Sequence, residues 1–453
     1  MRYYIIALAG AGLLLATTPA RMAHAQLGLP ELPRNLPELV PDLDDERRLR
    51  RRVEDTVEET TETVNDSTES AVDAAILPLA TQLAAQASNT VENALRPFQA
   101  TVDPSGNAIE LDTVVVLINT ARIDELVHNR VILVARRDLP SLGMTMLTLR
   151  QPAGGALPEL VDELRTRWPD AQVDFNHIYT TSSTSDDGST VPLPVEQQSS
   201  ADRVDELRIG VIDSAVQTEH FALRDSRIIA EDFVLHEGNR PQTHGTAVAS
   251  LVTASSGNRA TIYSAGVFVH VPGYQPGAST EGLIAAVEWL MSARVPVINM
   301  SLSGPANDLL EVALRRAVDK GYVVVAAVGN NGPSGEPLYP AAYDVVIGVT
   351  AVDRNNKVFR YANRGEHVDF AARGVDVRIA DSNTGGFRIE SGTSMAAPHV
   401  AVVIADLLRS DDVEASAAES WLIVGAEDLG RKGFDPVYGH GLVTRPPVVY
   451  SSN

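Results

Sequence analysis

Apolar residues follow three different rhythms along this chain. Beyond about residue 205, unbroken apolar runs alternate with segments whose apolar residues recur every three or four positions. The runs Leu207–Ile212, Ile262–Val271, Val295–Met300, Tyr322–Val328 and Val345–Val349 predict strands. Between them, Glu281–Ala293 puts Leu283, Val287 and Leu290 on one face. Asn307–Lys320 does the same with Leu310, Leu314 and Ala317, so each segment predicts a helix. Strands without polar alternation are buried on both faces, which predicts a parallel sheet covered by helices on either side. Residues 205–450 suit one such domain.

Residues 109–180 repeat the alternation on a smaller scale. Strands are expected at Thr113–Ile118, Val131–Val134, Met144–Leu149 and Ala171–Tyr179. Ile123, Leu126 and Val127 suit a short helix, and Leu157–Arg167 a second one with Leu160, Val161 and Leu164 on its inner face. The order β-α-β-β-α-β is the ferredoxin-like arrangement. Residues 26–108 have no packed-domain pattern. Pro30, Pro33, Pro37 and Pro41 open a stalk that continues through a charged block at 42–52 and a Thr/Glu-rich stretch. Val53, Val57 and Val64, then Ile76, Leu79 and Leu83, keep helical spacing, so the stalk is either partly helical or a disordered tether. Residues 181–204 are rich in Ser, Thr, Asp and Pro and form a linker.

Composition narrows the class. The chain has 453 residues, 44% of them hydrophobic, and a formal charge of −22. That balance excludes a phosphate-backbone binder, which needs a clustered positive face. Cysteine is absent, which removes a thiol nucleophile, disulfides and thiolate metal sites. Arg2, the apolar run Tyr3–Leu15 and the small residues of Ala23-His24-Ala25 compose a signal peptide, residues 1–25, with cleavage expected before Gln26. The apolar run falls short of the roughly twenty residues that span a bilayer, so no transmembrane anchor is expected and the protein belongs outside the cytoplasm, secreted or periplasmic.

Three short segments carry chemistry. Ile209-Gly210-Val211-Ile212-Asp213-Ser214 is an apolar strand ending in a carboxylate. Thr243-His244-Gly245-Thr246-Ala247-Val248-Ala249 puts a histidine at a helix start, and Ser391-Gly392-Thr393-Ser394-Met395-Ala396-Ala397-Pro398-His399 puts a serine there. Taken singly, the aspartate is an ordinary strand-end turn residue and the histidine an ordinary helix-start residue. Together and in this order they resemble the subtilisin-like (subtilase) serine proteases. Ala326-Ala327-Val328-Gly329-Asn330-Asn331-Gly332 is similar to that family's oxyanion loop. Asn299-Met300-Ser301-Leu302-Ser303-Gly304 is similar to its groove strand, and Tyr438-Gly439-His440-Gly441-Leu442-Val443 to its C-terminal segment.

The resemblance covers roughly residues 205–445. It implies a three-layer subtilisin-like α/β domain with a parallel sheet, preceded by a ferredoxin-like α+β module resembling a propeptide. It implies a serine endopeptidase acting on polypeptides, with Asp213, His244 and Ser394 as triad and Asn330 in the oxyanion hole. Ser301, Leu302, Ser303 and Gly329 would bind substrate. Three positions depart from the family pattern: Ala215 and Ser303 stand where glycine is usual, and Ala247 where a second histidine is frequent. No cofactor is implied. The family often carries structural calcium, but no acidic run here has calcium-loop spacing. The remaining histidines, His399, His220, His236, His270 and His440, read as packing residues rather than ligands.

Two alternatives stay open at the level of sequence. The chain could be a non-catalytic surface protein whose stalk is the working part and whose protease fold is a relic. Residues 109–180 could also be a permanent domain rather than a removable one. The tail Asn176-His177-Ile178-Tyr179 and the linker behind it favour self-cleavage between Tyr179 and Asp205. Substrate identity and any partner of the stalk are not legible.

Overall fold

The computed structural model describes residues 98–119, 131–151, 155–181, 190–191, 207–236, 238–270, 275–410 and 413–444. The expected signal peptide, the stalk as far as residue 97, the helix at Ile123–Val127 and most of the linker lie outside the described residues. Pro97–Ile132 and Arg136–Asn453 make one compact unit.

The module begins earlier than residue 109. Strand β1, Ala100–Val102, pairs antiparallel with β2, Ala108–Ile118, and Phe98 ahead of it is buried against Ile178 and Val269. Three residues are too few to show a period, so the pattern gave no strand there. Then come β3 (Ile132–Leu139), β4 (Met144–Arg150), helix α1 (Leu157–Arg167) and β5 (Gln172–Thr181). The sheet order β5-β2-β4-β3 is that of a ferredoxin-like fold. α1 starts with Pro158 in its first turn, where a missing N–H costs nothing, and buries Leu157, Leu160, Val161 and Leu164.

After β6, Thr190–Val191, the larger layer follows. Its strands are β7 (Leu207–Asp213), β8 (Arg227–Asp232), β9 (Ala260–Gly266), β12 (Val297–Met300), β14 (Val323–Ala327), β15 (Ile347–Val352) and β16 (Phe370–Arg373). They form a seven-stranded sheet in the order β16-β15-β14-β12-β7-β9-β8, and every adjacent pair is parallel. Helices α2 (Thr243–Ser256) and α5 (Thr393–Leu407) cover one face; α3 (Thr280–Ser292) and α4 (Asp308–Asp319) cover the other. A short α6, Ala418–Gly425, packs Ala418 and Leu422 into the α2/α5 side of the core.

One expected strand is in fact two. The run Ile262–Val271 stays in the parallel sheet only through Gly266. There Val267 N–H donates to the Asp213 carbonyl, and β10, Phe268–Val269, turns away to pair antiparallel with β11, Gly277–Ser279. Both pieces are buried, so no polar residue marks the break. The hairpin β17 (Val377–Asp381) and β18 (Gly386–Glu390) was likewise not anticipated, because its residues are mostly charged or half-exposed.

The module sheet lies on α3 and α4. Val115, Leu117, Met144 and Met146 share one core with Leu283, Val287, Leu310 and Leu314. Each such side chain contributes about 1.5–3 kcal/mol when fully buried. Polar contacts fix the register of docking. Asp174 accepts from Asp308 N–H at 3.2 Å and Asn176 from Glu281 N–H at 3.1 Å, so β5 supplements the N-terminal caps of both helices. Their own caps are Ser279, accepting from Gly282 N–H, and Asn307, accepting from Leu309 and Leu310 N–H. Glu288 of α3 reaches back to accept from the N–H groups of Ser141 and Leu142.

Candidate active site

Asp213, His244 and Ser394 converge from three elements at one end of the parallel sheet. Asp213 is the last residue of β7, and His244 and Ser394 are each the second residue of a helix, α2 and α5. His244 Nδ1 donates to the Asp213 carboxylate, with oxygens at 2.7 and 2.9 Å. That fixes the other ring nitrogen, Nε2, as the unprotonated one while the ring is neutral. Nε2 is buried and has no hydrogen-bond partner. The Ser394 hydroxyl donates to the Ser301 carbonyl at 3.1 Å.

The helix starts are shaped by neighbouring backbone. A Cβ on Gly245 would lie 2.1 Å from the Ser214 carbonyl oxygen, so the residue after His244 has to be glycine. Its N–H is taken by the Ser214 hydroxyl at 2.7 Å. In α5, Pro398 has no N–H to give the Ser394 carbonyl, and Ser301 Oγ donates to that carbonyl instead at 3.0 Å. Asn299 Nδ2 in turn donates to Ser301 Oγ.

Asn330 follows Gly329, whose φ of +95° and close approach to Leu338 admit no side chain. The Asn330 carbonyl oxygen accepts from both the N–H and the hydroxyl of Thr393, each at 3.2 Å, and Gly329 N–H donates to that same hydroxyl at 3.1 Å. With its side-chain oxygen bound to Thr393, the Asn330 amide is held beside the first turn of α5, which carries Ser394. Amide donors, with the N–H groups of a helix N-terminus, can stabilise developing negative charge.

Strand β13, expected from the sequence to line a substrate groove, is Leu302–Ser303 and follows Ser301 directly. It is already paired: Leu302 lies opposite Thr181 and Ser303 opposite Thr180 in an antiparallel ladder with β5. On its other edge β5 pairs with β11, Tyr179 opposite Ala278 and Ile178 opposite Ser279. The tail of the module is therefore a middle strand between β11 and β13. Ser303 in place of glycine does not prevent this pairing.

Comparison with known proteins agrees with this geometry. The sequence model of the Subtilase family matches residues 205–441. Subtilisin DY of Bacillus licheniformis is 34% identical over 256 residues, covering 52% of this chain and 88% of that protein. Subtilisin E of Bacillus subtilis is 33% identical over 249 residues and is covered to 64%. The chain belongs to the subtilase family. The crystal structure of fervidolysin from Fervidobacterium pennivorans, described as a keratinolytic enzyme related to subtilisin, has the same fold. Its TM-score is 0.60 at 19% identity, with 78% of this chain and 62% of that one covered. The chain is a subtilisin-like serine endopeptidase.

In this subtilase several supporting residues were not visible as such in the sequence. Thr393 and Ser214, read only as motif letters, orient Asn330 and the α2 start. Glu390 and Arg388 of β18 act on His244 through space. Burial of the imidazole opposes protonation, but the Asp213 carboxylate and its hydrogen bonds outweigh it. With Glu390 adding to that pull and Arg388 opposing it, the His244 pKa is raised above the ordinary histidine value. Arg388 itself bridges Asp381 and Glu390. Ala247 is fully buried in the core, where a second histidine would have to pack.

The other histidines are placed as follows. His399 is held well below the usual range, at about 4, by burial, with Nδ1 on the Ser255 hydroxyl. His220 bridges Ala222 N–H and the Gly386 carbonyl. Among the described residues no three His, Asp or Glu side chains are grouped to hold a metal ion, and no helix is long and apolar enough to cross a membrane.

Proposed function

We propose that this chain is an exported serine endopeptidase that cleaves extended polypeptides and removes its own N-terminal module. Asp213, His244 and Ser394 are the triad. Neutral His244 takes the Ser394 proton on Nε2 as the hydroxyl attacks the scissile carbonyl, and Asp213 stabilises the imidazolium that forms. The Asn330 amide and the Ser394 N–H receive the oxyanion. His244 then protonates the leaving amine, and water, activated the same way, hydrolyses the acyl-serine. To start, the Ser394 hydroxyl exchanges the Ser301 carbonyl for His244 Nε2 by rotating about χ1.

The observation that carries self-processing is the pairing of Thr181 with Leu302 and Thr180 with Ser303. A substrate lying antiparallel on Ser301-Leu302-Ser303 would approach Ser394 along the same ladder. Leu302, opposite Thr181, directly follows Ser301, whose carbonyl accepts the Ser394 hydroxyl, so the cut is assigned to the stretch between Thr181 and Asp205. This narrows the interval Tyr179–Asp205 expected from the sequence. Export rests on the signal-peptide pattern of residues 1–25.

N-terminal sequencing of wild type and of Ser394→Ala after export tests these points together. Wild type should begin within the linker, between Thr181 and Asp205, and Ser394→Ala at Gln26. Retention of the module by an active wild type would make it a permanent domain. Full-length wild type without activity on unfolded protein would favour the relic reading.

A further inference from the structure

A carboxyl group without a role in the chemistry is buried where module and peptidase meet. Glu281, second residue of α3, is 2% exposed. Its N–H is capped by Asn176 of β5, and the Asn176 amide donates to Glu110 of β2 at 2.6 Å. The second Glu110 oxygen is 2.7 Å from His236 Nε2. Glu110 and Asn176 belong to the module; Glu281 and His236 belong to the peptidase domain. Both carboxyl groups are buried and Asn176 bonds to both residues, so docking buries two acidic side chains near an imidazole and an amide. Two carboxylates in such a place repel, and one of them is favoured as the neutral acid.

We propose that Glu281 is a proton-operated latch: it is neutral when the module is docked, so docking is tightest in acid and loosens as the pH rises to neutrality. This rests on the self-processing reading and gives the regulation of that same site. The groups facing Glu281 are Glu110 from β2, Arg137 from β3 and His236 from the loop before α2. Burial raises Glu281 to about 7; Arg137 and His236 oppose that rise and Glu110 adds to it. Asp174 of β5, raised by burial against the pull of His177, acts in the same sense.

The sign follows from linkage. Undocking exposes Glu281 and returns it towards the ordinary glutamate value of 4.5. Between that value and about 7 the docked state holds one proton more than the released state, so docking weakens about tenfold per pH unit. Above about 7 neither state holds the proton and the dependence stops. The module therefore stays seated in an acidic setting and is shed on reaching neutral medium.

The test uses the full chain with Ser394→Ala, so it does not depend on whether the enzyme cuts itself. Hydrogen-exchange protection of β5 amides, corrected for intrinsic rates, is compared with and without Glu281→Gln from pH 5 to pH 8. Gln mimics the neutral acid. The ratio of protection, Gln over Glu, should grow about tenfold per unit up to about pH 7 and then stay level. A ratio that stays constant with pH overturns the proposal, because the common contributions of Glu110, His236 and Asp174 cancel in it. Should Glu281→Gln not fold, infrared spectra of the Ser394→Ala chain labelled with ¹³C in its glutamate carboxyl groups give the answer directly. A protonated glutamate band that disappears near pH 7 supports the latch, and its absence at pH 6 refutes it.

Discussion

Ser301 Oγ donates to the Ser394 carbonyl at 3.0 Å, making the hydrogen bond that Pro398 cannot. Ser301 thereby ties down the first turn of α5, the helix that carries Ser394. Ser301→Ala should leave a buried carbonyl without its donor and cost about 1–3 kcal/mol of stability. It should also lower kcat, because the Ser394 backbone would shift. Denaturant unfolding and steady-state kinetics on the variant check both, and unchanged values would show that the tie is dispensable.

Ser394→Ala should abolish peptidase activity and leave the fold intact, with circular dichroism matching wild type. A phosphonylating reagent should label wild type once, at Ser394. Labelling at another serine with loss of activity would move the nucleophile elsewhere.

Asn330→Ala should lower kcat about 10²–10³-fold with little change in KM, the magnitude established for the corresponding donor in subtilisin itself. Thr393→Val, which removes the hydroxyl that holds Asn330 and receives Gly329 N–H, should reproduce part of that loss. Steady-state kinetics on a peptide substrate distinguish this from a KM effect.

The acid limb of kcat/KM reports His244, which must be neutral to act as base. Because Asp213 and Glu390 outweigh burial and Arg388, activity should be half-maximal above the ordinary histidine value of about 6.5 and be lost as pH falls through that point. Glu390→Gln removes one of the raising charges and leaves Arg388 in place, so its acid limb should move to lower pH. A limb that stays put in this variant would mean Glu390 does not act on His244.

Tyr179 is fully buried, its hydroxyl donating to the Pro305 carbonyl at 3.0 Å and its ring 2.5 Å from where a Cβ on Gly304 would stand. Gly304→Ala should force the ring out and loosen the module tail, seen as reduced exchange protection in β5. Tyr179→Phe should cost only the hydrogen bond, about 0.5–1.5 kcal/mol.

Much of the peptidase layer was legible because its strands are buried on both faces and read as apolar runs. β7, β12, β14 and β15 lie within a few residues of their expected limits, and α1 begins and ends where its spacing says. The residues of the candidate site were legible for a different reason: they stand in short strings that resemble the subtilase motifs, where some neighbours are fixed sterically, as Gly245 is by the Ser214 carbonyl.

What the sequence by itself determined was local: which segments are strands or helices, and which residue types could carry acyl transfer. Only the tertiary structure decided that Thr181 lies on Leu302, that Ser301 completes a helix 93 residues away, and that Asn176 bonds both to Glu110 and to the Glu281 N–H. A hydrophobic period reports which face of an element is buried, not what buries it. Buried glutamates such as Glu281 and Glu288 of α3 leave no periodic signal, and their partners are set by the docking of the module on the helix. Proton affinity depends on those partners, so the charge state of Glu281 belongs to the assembled fold.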